Sequence, residues 1–278
     1  MITVAMVLLT AFLFSRDIKG LVKPKQETGA VSAGRELTQE VSSQINLTEI
    51  SEAAKSTLAS SVAAEIGTLE KQYKTAAEQD QAAVAKILAK KWDDVEQPVQ
   101  SALYLEIVAN KVSSLDTWLS AGDQFLKAFD NTRDSVLLPS LLQKANSAFK
   151  NAATIDSTSN DAKTGLGITI VNGMGMPMQG IAMLMDVVKR DPKNLKANMS
   201  LGTFAIKSGQ FDKAIIRFKN IIAIKASPDA YFYLGTAYEN LGRNSEAVDA
   251  YLKSKKLASN PTLSKFIDDK VLELNSKN

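Results

Sequence analysis

The sequence predicts an all-α fold: a solenoid of helical hairpins, preceded by amino-terminal helices and closed by a carboxy-terminal capping helix. Three observations predict it. The stretch from Asn198, "NMSLGTFAIKSGQFDKAIIRFKNI", overlays the stretch from Tyr231, "YFYLGTAYENLGRNSEAVDAYLKS", at a constant offset of 33 residues. Apolar residues on both sides of this pair recur at helical spacings of three and four. The chain of 278 residues is 45% hydrophobic, enough to bury a core.

Residues 1–15 read as a hydrophobic anchor or an uncleaved signal. Ile2 to Phe14 is free of charge. A helix of that length covers about 20 Å of a bilayer core of about 30 Å, closer to a signal segment than to a full span. No Lys or Arg precedes it, and the small-x-small triplet Val31-Ser32-Ala33 lies far downstream. A buried helix of a soluble domain is the competing reading. Arg16, Lys19, Lys23 and Lys25 follow, against Asp17 and Glu27. The positive-inside rule then places the bulk of the chain in the cytoplasm. Cleavage would instead give a periplasmic or exported protein. Residues 16–46 are polar, with Gly, Pro and Ser, and read as a flexible linker.

Residues 47–80 form an amphipathic helical region. Ile50, Ala54, Leu58, Val62, Ile66, Leu69 and Tyr73 keep one face apolar. A homodimeric coiled coil could bury that face. The Ala-rich positions and Gly67 favour docking onto the first hairpin instead. Residues 81–113 read as a degenerate pair of helices with Leu88, Trp92, Leu105 and Val108 inside and Pro98 near the turn.

Four hairpin units follow, at 115–157, 160–192, 195–226 and 228–259. In the last two, Leu201-Gly202-Thr203 matches Leu234-Gly235-Thr236, Gly209 matches Gly242, Ala214 matches Ala247, and Phe218 matches Tyr251. The unit at 160–192 carries Leu166-Gly167, Gly180-x3-Leu184 and Pro192. The unit at 115–157 carries Trp118-x2-Ala121-Gly122-x2-Phe125, then Ala145-x3-Phe149. The glycines mark close helix crossings, the alanines face them, and the aromatic residues fill the space between units. Gly209 and Gly242 fall at turns that need a positive φ. Gly122 and Ala145 are 23 residues apart, where Gly235 and Ala247 are 12 apart. The surplus lengthens the helices or forms a protruding loop, and longer helices are the simpler solution. Residues 261–276 supply the cap, with Leu263, Phe266, Ile267, Val271 and Leu274 on one face. Lys270 falls on that apolar side, from which its long stem could carry the charge to water.

These motifs resemble the tetratricopeptide repeat: W-x2-L-G-x2-Y, A-x3-F and a closing P, at a period of about 34 residues. Tyr231-x2-Leu234-Gly235-x2-Tyr238 with Ala247-x3-Tyr251 is the fullest copy. The resemblance implies a right-handed solenoid whose first helices line a concave groove. It is also to single-pass bacterial proteins that carry such repeats behind an amino-terminal anchor. It implies ligand contacts from Thr164, Ile168, Val171 and Asn172, from Lys196, Met199, Thr203 and Lys207, and from Phe232, Thr236, Glu239 and Asn240. Family members that clamp a terminal carboxylate use Lys, Asn and Arg on successive units. Here Ile168 and Met199 stand in the groove instead.

The function this supports is a non-catalytic, membrane-anchored scaffold that binds a protein or peptide, with residues 2–14 in the membrane. With 33 basic and 30 acidic side chains the net charge is +3, which gives no nucleic-acid footprint. The chain has no His and no Cys, so the usual general base, thiol chemistry and Cys/His zinc sites are excluded. Gly165-Leu166-Gly167 lacks the third glycine of a dinucleotide loop, and Lys163-Thr164 lacks the glycine of a phosphate loop. Asp93-Asp94 and Asp268-Asp269 read as solvated helix surface. No catalytic set, metal site or cofactor is expected. "NGMGMPMQG", at 172–180, raises one alternative. Met174, Met176 and Met178 could suit copper(I), making the chain an exported carrier or metal-handling protein with a cleaved leader. Gly173, Gly175 and Pro177 instead mark the segment as the turn between two helices.

Overall fold

The computed structural model describes residues 45–276. The expected anchor at 1–15, and nearly all of the expected linker at 16–46, lie outside the described residues. Among the described residues no helix is long and apolar enough to cross a membrane. The chain is an all-α solenoid of helical hairpins. Two helices, α1 (Leu47–Lys55) and α2 (Ser60–Thr75), precede the hairpins. The hairpins are α3 (Glu78–Asp94) with α4 (Pro98–Lys111), and α5 (Leu115–Asn131) with α6 (Leu138–Ile155). Then come α7 (Asn160–Thr169) with α8 (Pro177–Arg190), and α9 (Leu195–Lys207) with α10 (Phe211–Ile224). Last are α11 (Pro228–Asn240) with α12 (Asn244–Leu257), and the closing α13 (Pro261–Asn275).

Local chemistry fixes where these helices begin and end. The first helix of each later unit starts on a side-chain cap: Ser114, Ser159, Asn194, Ser227 and, for α13, Asn260 each accept from a backbone N–H of the first turn. Ser114 and Thr117 form a reciprocal capping box. Helices α9 and α11 end in the same motif. The N–H of Gln210 donates to Ala205 O at 2.8 Å and that of Gly209 to Ile206 O at 3.0 Å. Arg243 and Gly242 repeat this on Tyr238 and Glu239. The motif needs a left-handed residue, and Gly209 (φ 73°) and Gly242 (φ 69°) supply it. At the end of α3 the same bonds run from Gln97 to Trp92 and from Glu96 to Asp93. There Glu96 takes the positive φ, 57°.

Each of these hairpins closes through one repeated contact. A Cβ on Gly235 would stand 2.8 Å from the Tyr251 ring, and one on Gly202 would stand 2.7 Å from the Phe218 ring. Phe149 is held twice. Its ring lies 2.8 Å from where a Cβ on Gly122 would be, and a Cβ on Gly165 of the next unit would overlap it. Neighbouring units join where Phe218 stacks on Tyr233 at 5.6 Å, and within the last hairpin Phe232 tilts against Tyr251 at 5.5 Å. Besides these chain-order contacts, α5 touches α7, α7 touches α9, and α9 touches α11. The first helices therefore form one wall.

The apolar face of residues 47–80 packs on its own chain. Ile66 of α2 is fully buried with Leu88 and Trp92, and α1 lies on α4, where Gln100 Nε2 donates to Ile50 O at 3.0 Å. The departures in repeat length are absorbed mainly within helices. In the unit at 115–157, α5 and α6 run 17 and 18 residues, against 13 and 14 in α9 and α10, joined by residues 132–137. Asn131 ends α5 nine residues past Gly122, whereas Lys207 ends α9 five past Gly202. The extension is about one turn. In the unit at 160–192, Gly167 and Gly180 are 13 apart rather than 12. The end of α7 widens into a π-helical turn, Ile170–Met174, which takes up the added residue before Gly173 breaks it at φ 135°.

At the carboxy terminus, Ile267 and Leu274 are buried and Leu263 and Val271 pack beside them. Phe266 is half exposed, its ring 5.9 Å from that of Phe232. Lys270 does not reach for water. Its Nζ donates to Glu239 at 2.7 Å, and the hydrogen bond with that carboxylate holds its pKa above the ordinary lysine value, against the opposing effect of burial.

Candidate binding groove

The first helices enclose a groove of about 990 Å³, lined from α5, α7, α9 and α11. The rule that generates its lining is simple. One residue past the packing glycine, and five past it, a first helix turns away from its own hairpin. Those positions are Asp123 and Lys127, Ile168 and Asn172, Thr203 and Lys207, then Thr236, whereas Asn240, five past Gly235, falls outside the groove.

Eight of the twelve expected positions line the groove: Ile168, Asn172, Lys196, Met199, Thr203, Lys207, Phe232 and Thr236. Four do not. Thr164 is fully buried, and among the described residues its hydroxyl has no hydrogen-bond partner. Gly165 lets α7 settle onto Phe149, and the preceding Thr164 goes inside with it. Val171 sits in the π-helical turn and packs with Leu184 and Val187, its Cγ2 covering Gly180. Glu239 is engaged by Tyr251 OH and Lys270 Nζ, both at 2.7 Å. Asn240 is exposed at the end of α11, its amide donating to Thr236 O at 2.8 Å.

The sequence reading missed the wall from α5: Asp123, Leu126, Lys127, Asp130 and Asn131. The glycine rule applied to Gly122 would have found the first and third of these. The added turn of α5, which carries Asp130 and Asn131, has no counterpart in the other units. Ser200, Ile206, Asp229 and Tyr233 complete the lining.

The charges of the groove are partly spent inside the chain. Lys127 bridges Asp93 at 2.6 Å, and Gln124 donates to the same oxygen at 2.6 Å. The Lys127 hydrogen bond holds Asp93 below the usual carboxylate range. Lys196 of α9 bridges Asp123 of α5, with its ammonium 5.2 Å from the centre of the Phe149 ring. Asp130 is accessible to solvent yet walled by protein, which pushes its carboxyl above the usual value, while Lys207 acts in the opposite sense. Burial raises the Tyr233 phenol, and Asp229 and Asp130 add to that shift. All three groups line the groove.

The methionine segment is elsewhere. Met174 ends the π-helical turn, Met176 is the residue before α8, and Pro177 and Met178 open that helix. Met176 and Met178 are 77% and 71% exposed. Gly173 and Pro177 shape the turn. Both aspartate pairs also have ordinary partners. Besides the Lys127 bridge of Asp93, Asp94 pairs with Lys90 and Asp268 with Lys255. Among the described residues no group of three or more acidic side chains is arranged to hold a metal ion.

Residues 228–261 match the family model for the tetratricopeptide repeat. The fold is similar to that of a thermophilic TPR protein of Thermus thermophilus, at 17% identity over 70% of this chain and 100% of that one, with a TM-score of 0.56. Two further structures match at lower TM-scores. One is YrrB, described as a TPR protein with an unusual peptide-binding site (14% identity, 72% of this chain and 96% of that one, 0.42). The other is MamA (22% identity, 64% and 92%, 0.43). No curated protein matches the chain in sequence.

Proposed function

We propose that this chain, a tetratricopeptide-repeat protein, is a non-catalytic adaptor whose concave groove receives a short segment of a protein partner. The observation that carries the reading is the convergence of four first helices on one groove of about 990 Å³. That is the upper end of the size in which ligand sites are found. Apolar residues from each helix (Leu126, Ile168, Met199, Ile206 and Phe232) lie among polar ones that can fix the register of a bound backbone. With no His or Cys in the chain, the usual general base and thiol nucleophile are lacking, which supports a binding role.

A finer reading is that the adaptor is held at a membrane through the charge-free run Ile2 to Phe14, with the groove on the cytoplasmic side. It rests on the sequence of that run and the Lys/Arg residues behind it. Removing residues 1–15 then moves the protein from the membrane to the soluble fraction. Unchanged sedimentation with membranes would end the anchor reading.

The groove is tested by selection from a displayed library of linear peptides, with wild type and Thr203→Arg as bait. Thr203 is half-buried and lines the groove, and its hydroxyl bonds only to Ser200 O of its own helix. The arginine therefore blocks the groove without removing a packing contact. Peptides enriched on wild type are expected to be lost on a variant of unchanged helicity. Equal retention on both would place binding elsewhere.

A further inference from the structure

We infer that the groove selects a partner segment with a basic side chain flanked by apolar residues, received at Asp130 and Asp229. The inference rests on the adaptor reading and adds the chemistry of its ligand. Two of the three groove lysines are already neutralised: Lys127 by Asp93, Lys196 by Asp123. Among the described residues, Asp130 and Asp229 make no ion pair or hydrogen bond, and Lys207 is the one lysine of the groove without a bridge. The unspent charge is therefore two carboxylates against one ammonium, a surplus of one negative charge.

Position reinforces charge. Asp130 comes from the added turn of α5 and Asp229 from the first turn of α11, so two different first helices each bring a carboxylate to the same groove. Tyr233 feels both, and offers an aromatic edge and a phenol at the same place. A guanidinium or ammonium there gains two charge-assisted contacts and an aromatic neighbour. A carboxylate there meets surplus negative charge, and the lysines that could receive it are occupied. Asp229 also sits in the first turn of α11, where a carboxylate offsets the helix dipole. Asparagine keeps the shape and polarity of that position.

The test is fluorescence titration with three synthetic peptides of one apolar frame, carrying Arg, Gln or Glu at the central position. Wild type is expected to bind the Arg peptide about tenfold more tightly than the Gln peptide, the scale of one charge-assisted hydrogen bond. Asp130→Asn with Asp229→Asn is expected to abolish that difference, and Lys207→Met to enlarge it. Both variants keep the apolar lining. Preference for the Glu peptide, or indifference to the central charge with binding still lost in Thr203→Arg, overturns this inference and leaves the adaptor reading standing. Binding of all three peptides unaffected by Thr203→Arg overturns both.

Discussion

Lys270 Nζ stands 2.7 Å from one oxygen of Glu239, and the other oxygen of that carboxylate accepts from Tyr251 OH at 2.7 Å. One side chain of α11 thus holds α12 and the cap α13 together. Glu239→Gln leaves a half-buried ammonium with Glu273 alone, at 3.3 Å. The expected loss is about 1–3 kcal/mol. Hydrogen exchange should quicken in α13 first. A uniform rise along the chain would mean that the cap is held by its apolar face alone.

The same contact sets an alkaline limit. Lys270 titrates above the ordinary lysine value in the folded protein because of its bond to Glu239. Its contribution is complete below the unfolded value and is lost as pH rises through the folded one. Thermal melts of wild type and Lys270→Met should therefore differ near about pH 9 and converge toward about pH 12. A constant gap would remove the charge from the explanation.

Glycine substitutions should separate close crossings from open positions. Gly180→Ala drives a Cβ to 2.6 Å from the Gly167 carbonyl, which is backbone and cannot turn aside. Gly165→Ala overlaps the Phe149 ring. Each is expected to lose about 1–3 kcal/mol or more. Gly67→Ala, inside α2 with nothing within 4 Å, should gain about 0.5–1 kcal/mol. Denaturant midpoints give the sign directly.

Glu96 occupies the left-handed position that Gly209 and Gly242 hold in later units. A side chain there costs about 1–2 kcal/mol relative to the right-handed conformation. Glu96→Gly is expected to recover about 1 kcal/mol of stability. Loss of stability instead would show that the carboxylate, exposed as it is, makes a contact that matters.

Thr164 hides a hydroxyl without a partner among the described residues. Thr164→Val keeps the shape and removes the stranded group, with an expected gain of about 1 kcal/mol. Destabilisation would point to a water molecule bound at that oxygen.

The repeat was legible because its packing demands are local. A glycine must face an aromatic ring, so Gly202 with Phe218 and Gly235 with Tyr251 announce themselves at fixed spacing. The caps recur at the same period: Asn194, Ser227 and Asn260 stand 33 residues apart. About half of the groove lining was among the positions that the family resemblance implies. The failures have local causes. Thr164 and Val171 lie where α7 departs from the pattern, drawn in at Gly165 and widened at Ile170–Met174. Glu239 was claimed by Lys270, some thirty residues on, and a single-helix wheel does not register such a partner. The surplus of the unit at 115–157 read as longer helices in preference to a loop, and α5 and α6 do run 17 and 18 residues, but length alone did not say that the added turn of α5 would line the groove.

That added turn has a consequence for how a ligand would lie. A strictly periodic solenoid presents the same surface at every step, and a bound chain could slide by one unit without penalty. Asp130 and Asn131 have no equivalents in the later units. They give the groove a distinguishable first position, and with it an absolute alignment for whatever sequence it holds.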